Sequence, residues 1–306
     1  DGAGGSGAMR TTPVDGAERV LPMALDRDGN PDVVALADPV LSSPSVVPLL
    51  GDGNGGLSAG TPVTAGEAPA ELAAADFDGD GAQDLAVAIG GSGPDSIGVL
   101  LNDGRGGLTL QPEIPTGATP GDIVAEDLNR DGHMDIAVVN RGSQDVSLVL
   151  GYGNGTFEVR DAAAINGDSE SPRSGTAADL DRDGFPEIIV GNRALDGAVS
   201  VLANESGSGM PGLNVDLAWT AAVGSEHRDS VNDIAVDGDG NVVVVGFQDQ
   251  RGSGEEDAPF VARYDAQGDR LWYQTLGAES ADRVAVDDAG NIFVTGSARG
   301  TFGSLE

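Results

Sequence analysis

Cysteine is absent from this 306-residue chain. That excludes disulfides, thiolate metal sites and a cysteine nucleophile. Lysine is absent too: all 16 basic residues are arginine, against 50 acidic ones, and Asp far outnumbers Glu. The net charge of −34 argues against a basic face for nucleic acid or anionic membrane. Such acidity fits a GC-rich genome with many metal loops, or a high-salt habitat in which surface charge keeps proteins soluble. Aromatic residues make up only 4%, which weakens a lectin that stacks sugars on rings. No apolar run approaches the ~18 residues of a membrane-spanning helix. Histidine occurs twice, and neither a zinc-protease H-E-x-x-H nor a G-x-S-x-G nucleophile elbow with a usable His and acid is present. No cleavable leader is visible, and "DGAGGSGAM" reads as a mature or trimmed start.

What is abundant is aspartate, and it is bunched. The stretches "ALDRDGNPD" (24–32), "DFDGDGAQD" (76–84), "DLNRDGHMD" (127–135) and "DLDRDGFPE" (179–187) align on Gly29, Gly81, Gly132 and Gly184, spaced 52, 51 and 52 apart. A fixed period near 50 residues marks a repeat architecture. Each acidic loop precedes a short apolar run: "VVALA" (33–37), "LAVAI" (85–89), "IAVVN" (136–140) and "IIVG" (188–191). A second apolar run follows. In three units it ends in a glycine turn: "GDGNGGL" (51–57), "NDGRGGL" (102–108) and "GYGNGTF" (151–157). Each unit therefore reads as about four short strands. The runs are nearly continuous in aliphatic residues, as in sheets covered on both faces. The expected fold is all-β, a β-propeller of four-stranded antiparallel blades. About six blades are expected, or seven if the chain is a fragment.

Like charge so crowded is costly. Two carboxylates about 4 Å apart repel by roughly 4 kcal/mol at an effective dielectric near 20. A cation among them removes the cost. Numbering the second loop from Asp76 puts carboxylates at positions 1, 3, 5 and 9: Asp76, Asp78, Asp80 and Asp84. Gly81 at position 6 permits the tight turn, and Ala82 at position 7 offers its backbone carbonyl. Hard oxygen ligands in that number suit Ca²⁺, which takes roughly six to eight. The counterparts are Asp26, Asp28 and Asp32 with the Asn30 carbonyl; Asp127, Asn129, Asp131 and Asp135 with the His133 carbonyl; and Asp179, Asp181, Asp183 and Glu187 with the Phe185 carbonyl. About four calcium sites are expected, the first weakest because Ala24 stands at its position 1. Position 2 is apolar throughout (Leu25, Phe77, Leu128, Leu180) and expected to pack inward. Position 4 (Arg27, Gly79, Arg130, Arg182) is expected to face water, as is the His133 side chain. An EF-hand would need a bidentate Glu at position 12 and flanking helices; Val87, Val138 and Val190 stand there instead. The bland alternative is four Asp/Gly turns that bind nothing.

Over about residues 20–205 these motifs resemble the FG-GAP (also called VCBS) repeats of integrin α-subunit propellers and of many secreted bacterial proteins. The resemblance implies that each loop lies between the first two strands of a blade and binds Ca²⁺. It also implies a secreted or cell-surface location. Further on, "DIAVDGDGNVVVVGF" (233–247) matches "RVAVDDAGNIFVTGS" (283–297) at an offset of 50. That part resembles SBBP-type bacterial propeller repeats. Its "DGDGN" and "DDAGN" read as hairpin turns without metal. Trp219 and Trp272 fall at equivalent places, which favours packing over sugar stacking.

The expected organisation is an N-terminal segment 1–19, with residues 8–22 a candidate ring-closing strand. Four calcium-binding blades (20–205), a linker (206–214) and SBBP-type blades (215–306, the last incomplete) follow. The expected role is a monomeric ligand-binding or adhesion scaffold for a protein or glycan. The alternatives are a spacer of a large surface protein, or an accessory propeller of a secreted polysaccharide lyase or hydrolase. No catalytic residue, nucleic-acid partner or membrane insertion is expected.

Overall fold

The structure is a computed structural model, and it describes residues 11–37, 43–160, 162–165, 171–194, 197–204, 215–223, 229–248, 258–287 and 289–297. All 25 regular elements among them are β-strands, and none is a helix long and apolar enough to cross a membrane. The chain divides into two compact units, residues 1–115 with 151–156, and residues 116–150 with 157–306.

The first unit holds two sheets. β1 (Ala17–Met23), β2 (Asp32–Ala37), β3 (Ser45–Gly51) and β4 (Leu57–Ala59) pair antiparallel in that order, and β5 (Val63–Thr64) also pairs with β3. β6 (Ala68–Ala75), β7 (Asp84–Gly90), β8 (Ser96–Asn102) and β9 (Leu108–Leu110) repeat the pattern, with β10 (Ile114–Pro115) on β8. The outermost strand is thus broken in two. Pro62 and Pro112 lie at the breaks, where a residue without N–H cannot continue the ladder. Residues 17–22 are taken up by β1, where Leu21 pairs with Val34. Residues 11–16 of the candidate closing strand lie in no strand, and 8–10 lie outside the described residues.

The second unit repeats the plan. β11 (Pro120–Glu126), β12 (Asp135–Asn140), β13 (Asp145–Gly151) and β14 (Phe157–Val159) form one sheet, with β15 (Ala163–Ala164) on β13. β16 (Ser171–Ala178), β17 (Glu187–Ala194), β18 (Ala198–Asn204) and β19 (Val215–Ala222) form the next. β20 (Asp229–Val236), β21 (Val242–Gln248), β22 (Ala258–Tyr264) and β23 (Arg270–Thr275) follow, joined to the previous sheet where Arg193 and Ala194 pair with Ser230 and Asp229. β24 (Arg283–Val286) and β25 (Ile292–Thr295) make a final two-stranded sheet. Each four-stranded sheet resembles a propeller blade. β19 pairs with β18, Leu217 opposite Leu202, so residues 215–222 complete the fourth blade rather than open a new one. The expected linker 206–214 lies outside the described residues.

Continuous aliphatic runs are explained by burial on both faces. Ile188 and Val190 face a core shared with Leu128, Val139 and Leu148, whereas Ile189 between them faces one shared with Val231, Val244 and Phe260. Val243 and Val245 face Val261 and Val284, while Val242 and Val244 face the other side. The side-chain period of two supplies both cores from one strand. In the first unit Met23, Leu25, Val34 and Val46 pack against Leu72, Leu85, Val87 and Leu100.

The first strand of each four-stranded sheet carries a register shift at the same place: 17/19, 69/71, 120/122, 172/174 and 231/233. Such bulges re-aim a side chain. The residue after the bulge ties to the next sheet within its unit. Arg19 pairs with Glu71 at 3.3 Å, Asp122 accepts from the Gly175 N–H at 2.8 Å, and Asp233 accepts from the Val284 N–H at 2.8 Å.

Candidate metal centre

Each acidic loop joins the first two strands of its blade, and a common scaffold of hydrogen bonds shapes it. The position-5 carboxylate accepts the N–H of position 7 in all four loops: Asp28 from Asn30 (2.7 Å), Asp80 from Ala82 (2.6 Å), Asp131 from His133 (2.9 Å) and Asp183 from Phe185 (2.8 Å). The position-1 carboxylate reaches across to position 6: Asp76 to Gly81 N–H (2.9 Å), Asp127 to Gly132 N–H (2.9 Å) and Asp179 to Gly184 N–H (3.1 Å). Those glycines have φ between 84° and 99°, a region closed to most side chains. The position-2 side chains Leu25, Phe77, Leu128 and Leu180 are buried and anchor the loops in the cores.

Position 9 is the deepest group. Asp84 is fully buried, and its two oxygens accept the N–H groups of Phe77 and Asn102, both at 2.8 Å. It thereby fastens the loop to the third strand of its blade. Asp32 does the same with Leu25 N–H (2.7 Å) and Gly51 N–H (2.8 Å). Asp135 accepts from Leu128 N–H (3.0 Å), and Glu187 accepts from Leu180 N–H (2.7 Å). A carboxylate has roughly four lone-pair sites, so these bonds leave capacity for a cation. Burial pushes the Asp84 carboxyl up to about 6; the two N–H donors oppose that rise, and the charges of Asp78 and Asp76 add to it. Glu187 is likewise raised, first by burial and then by Asp181 and Asp183.

The structure brings positions 1, 3 and 9 together in two loops. Asp76, Asp78 and Asp84 place one oxygen each within 4.8 Å of one another, and so do Asp179, Asp181 and Glu187. The other two loops each lack one of these carboxylates, for Ala24 stands at position 1 of the first and Asn129 at position 3 of the third. Position 5 is not part of either trio. One buried oxygen in the fourth loop, Asp179 Oδ1, accepts no hydrogen bond. An unsatisfied buried carboxylate oxygen is costly, and beside two further carboxylates a cation is the partner it fits. The acidic trios could thus coordinate a metal ion.

Three features of the loops were not read from the sequence. Position 4 is left-handed in all four, with φ of 58°, 76°, 59° and 66° at Arg27, Gly79, Arg130 and Arg182; only Gly79 signals it. Nor does position 4 simply face water. Arg27 donates to the Asp80 carbonyl (2.9 Å) and carboxylate (3.0 Å) of the next loop. Arg182 Nη2 donates to the Asp239 carbonyl at 3.4 Å. Thirdly, buried asparagines tie consecutive loops. Asn102 Nδ2 donates to the carbonyls of Leu25 (3.1 Å) and Gln83 (3.0 Å), and Asn204 Nδ2 to those of Leu128 (2.7 Å) and Pro186 (3.0 Å). The glycine turns also cap preceding loops, through Gly106 N–H to Leu25 O and Gly155 N–H to Phe77 O, each 3.0 Å. The His133 side chain is exposed, as expected; His227 lies outside the described residues.

The turns at 237–241, 265–269 and 287–291 are different. One oxygen of Asp237, Asp265 and Asp287 accepts two backbone N–H groups of its own turn. Asp237 also pairs with Arg263. Trp219 and Trp272 occupy the fourth strands of successive blades; Trp219 Nε1 donates to the Ala266 carbonyl at 3.1 Å, and both rings pack on cores.

Three overlapping segments, residues 25–87, 76–138 and 127–190, match the FG-GAP-like repeat family, and the chain belongs to that family. Each match runs from one acidic loop through the next, in step with the observed blades. No curated protein sequence matches the chain. Among solved structures it is similar to BBS1N, crystallised in complex with ARL6DN (12% identity, TM-score 0.58, covering 92% of this chain and 78% of that one). It is also similar to a Lactobacillus plantarum protein (14%, TM-score 0.60, 90% and 85%) and to the Pseudomonas aeruginosa periplasmic gluconolactonase (17%, TM-score 0.58, 89% and 72%). At such identities the likeness concerns the fold alone.

Proposed function

We propose that this chain is a calcium-stiffened β-propeller module of about six blades, secreted or displayed at a cell surface, which presents its loops to a protein or glycan ligand. Four of its blades carry the acidic loops, and the later ones are of the SBBP type. The observation that carries the reading is the gathering of Asp76, Asp78 and Asp84, and of Asp179, Asp181 and Glu187, into oxygen-only trios, one of them with a buried oxygen that lacks a partner. An all-oxygen set suits Ca²⁺ better than Mg²⁺, which demands stricter geometry and keeps its waters. The second and fourth loops are the strong sites. The third, with Asn129, is weaker, and the first, with Ala24, is weakest. Bound calcium would neutralise the trio and hold the loop between the first and second strands of its blade. Ala82 and Phe185 offer backbone carbonyls in the two strong sites. A partner protein on BBS1N makes ligand presentation by this fold reasonable.

Calorimetric titration of chelator-treated protein tests the reading. Two or more endothermic or exothermic calcium sites, with weaker response to magnesium, are expected. Absence of heat and of any rise in melting temperature at millimolar calcium would overturn it.

A further inference from the structure

Sixteen arginines are the only basic residues besides two histidines, and most described ones sit against an acid, a carbonyl or a ring. Arg19 faces Glu71, Arg160 faces Glu158, Arg263 faces Asp237 and Arg283 faces Asp233. Arg27 and Arg182 donate to neighbouring loops, and Arg270 lies over the Tyr273 ring. Arg105 and Arg130 lie near enough to Asp103 and Glu126 to act on their charge; Arg141, Arg173 and Arg193 are shown with no such acid.

These three gather at the ends of the third and fourth blades opposite the acidic loops. Arg193 stands across the β16–β17 ladder from Ser171, and the bulge at 172/174 makes Arg173 the looped-out residue beside that rung. The same bulge in other blades carries Glu18, Ala70, Gly121 and Asn232. Arg141 lies against Gly121, where a Cβ would meet its Nε at 2.5 Å. Asp122, next to Gly121, is bonded to Gly175 N–H, two residues from Arg173, so β11 and β16 place Arg141 and Arg173 at the same end of adjoining sheets. Arg141 and Arg193 occupy the same repeat position, 52 residues apart. Burial lowers the Arg173 pKa, and the charges acting on it are those of Arg193 and Arg141, with no carboxylate among them. Among the described residues none of the three has an ion pair to an acid.

In a chain with 50 carboxylates and a net charge of −34, three mutually repelling cations with no acid paired to them form a cationic patch. We infer that Arg141, Arg173 and Arg193 form an oxyanion-binding site for the carboxylate or sulfate group of an acidic saccharide. Guanidinium forks bind such planar or tetrahedral oxyanions through paired N–H donors. A saccharide is favoured over an acidic peptide because the surrounding surface repels dense negative charge, while a saccharide carries isolated anionic groups between neutral hydroxyls. The site is separate from the acidic loops and holds whether or not they bind calcium.

The test is titration of the intact chain, at saturating calcium, with an oligogalacturonate, a sulfated chondroitin oligosaccharide, an Asp/Glu peptide and a neutral cello-oligosaccharide. Binding of the uronate or the sulfated probe, weakening with salt, is expected, with none for the neutral sugar. Which of the two binds tells carboxylate from sulfate. Arg173→Ala and Arg193→Gln should each weaken it about tenfold or more, Arg173→Lys less, and Arg160→Ala not at all. Should Arg173→Ala lower the melting temperature, the exposed Arg141→Gln decides. No binding of either saccharide at millimolar concentration overturns the assignment. So does binding that survives these variants, which would place it on calcium, and so does preference for the acidic peptide.

Discussion

Replacing Asp78 with Asn separates a metal ligand from a mere turn residue, because the two roles predict opposite signs. The third loop already has Asn at this position, and Asn129 Oδ1 accepts the Asp131 N–H at 2.9 Å as Asp78 Oδ1 accepts the Asp80 N–H at 3.1 Å. The local fold is therefore preserved. What changes is charge. At the 4.8 Å that bounds the trio, a pair of carboxylates repels by about 0.9 kcal/mol in water and about 3.5 kcal/mol at an effective dielectric near 20. Asp78 is only half-buried, so the low end applies, about 1 kcal/mol for each of its two neighbours. In excess chelator Asp78→Asn should raise the stability by about 2 kcal/mol. For a unit of this size that is a rise of several degrees in melting temperature. With calcium the sign turns. A site filled at a hundredfold excess over its dissociation constant adds about 2.7 kcal/mol, and the variant forfeits most of that. Melting curves of both proteins in chelator and in millimolar calcium should cross. Equal destabilisation in both buffers would refute the electrostatic reasoning, because it would make Asp78 a backbone-capping residue and nothing more.

Other outcomes follow from the same geometry. Asp84 is held at about 6 against its ordinary 3.8, so the folded chain binds that proton more tightly than the unfolded one. Its contribution in chelator is full below the unfolded value and is lost as the pH rises through about 6, at most about 3 kcal/mol; urea midpoints should fall between about pH 4 and pH 7 without calcium, and this fall should vanish with it. Arg130 sits at φ 59°, a left-handed conformation that costs an L-residue about 1–2 kcal/mol; Arg130→Gly should be neutral or stabilising by up to about 1 kcal/mol after the glycine entropy cost, and Arg130→Val should destabilise. Ile189→Ala, which opens the fully buried core shared with Val231 and Phe260, should cost about 2–5 kcal/mol, with the same loss in chelator and in calcium.

The acidic loops, their period and their partnership with buried strands were legible because they rest on local chemistry. Clustered charge, a glycine at a left-handed turn and apolar runs covered on both faces each leave a mark in the residues themselves. Leu25, Phe77, Leu128 and Leu180 are buried as their place in the loop demands. What escaped is set by neighbours in space. Arg27 looks like a solvated side chain until the next loop brings Asp80 to it. Asn102 reads as the first residue of a glycine turn, although it and Asn204 are buried struts between loops. β19 falls at the head of the expected SBBP-type segment, but it pairs with β18 as β23 pairs with β22, so both are fourth strands. The expected ligands at position 5 are placed outside the trios, with Asp80 engaged by Ala82 N–H and Arg27. Nothing in a single loop's sequence distinguishes that position from positions 1 and 3. The first-strand bulges are equally hidden, though the prolines at 69, 120 and 172 stand at three of them.

The most direct measurement is a crystal structure grown in millimolar calcium, with anomalous difference maps. Peaks are predicted within about 2.3–2.6 Å of carboxylate oxygens from Asp76, Asp78 and Asp84 and from Asp179, Asp181 and Glu187, with weaker density at the third loop and least at the first. Featureless maps at the second and fourth loops, in an intact fold, would contradict the account.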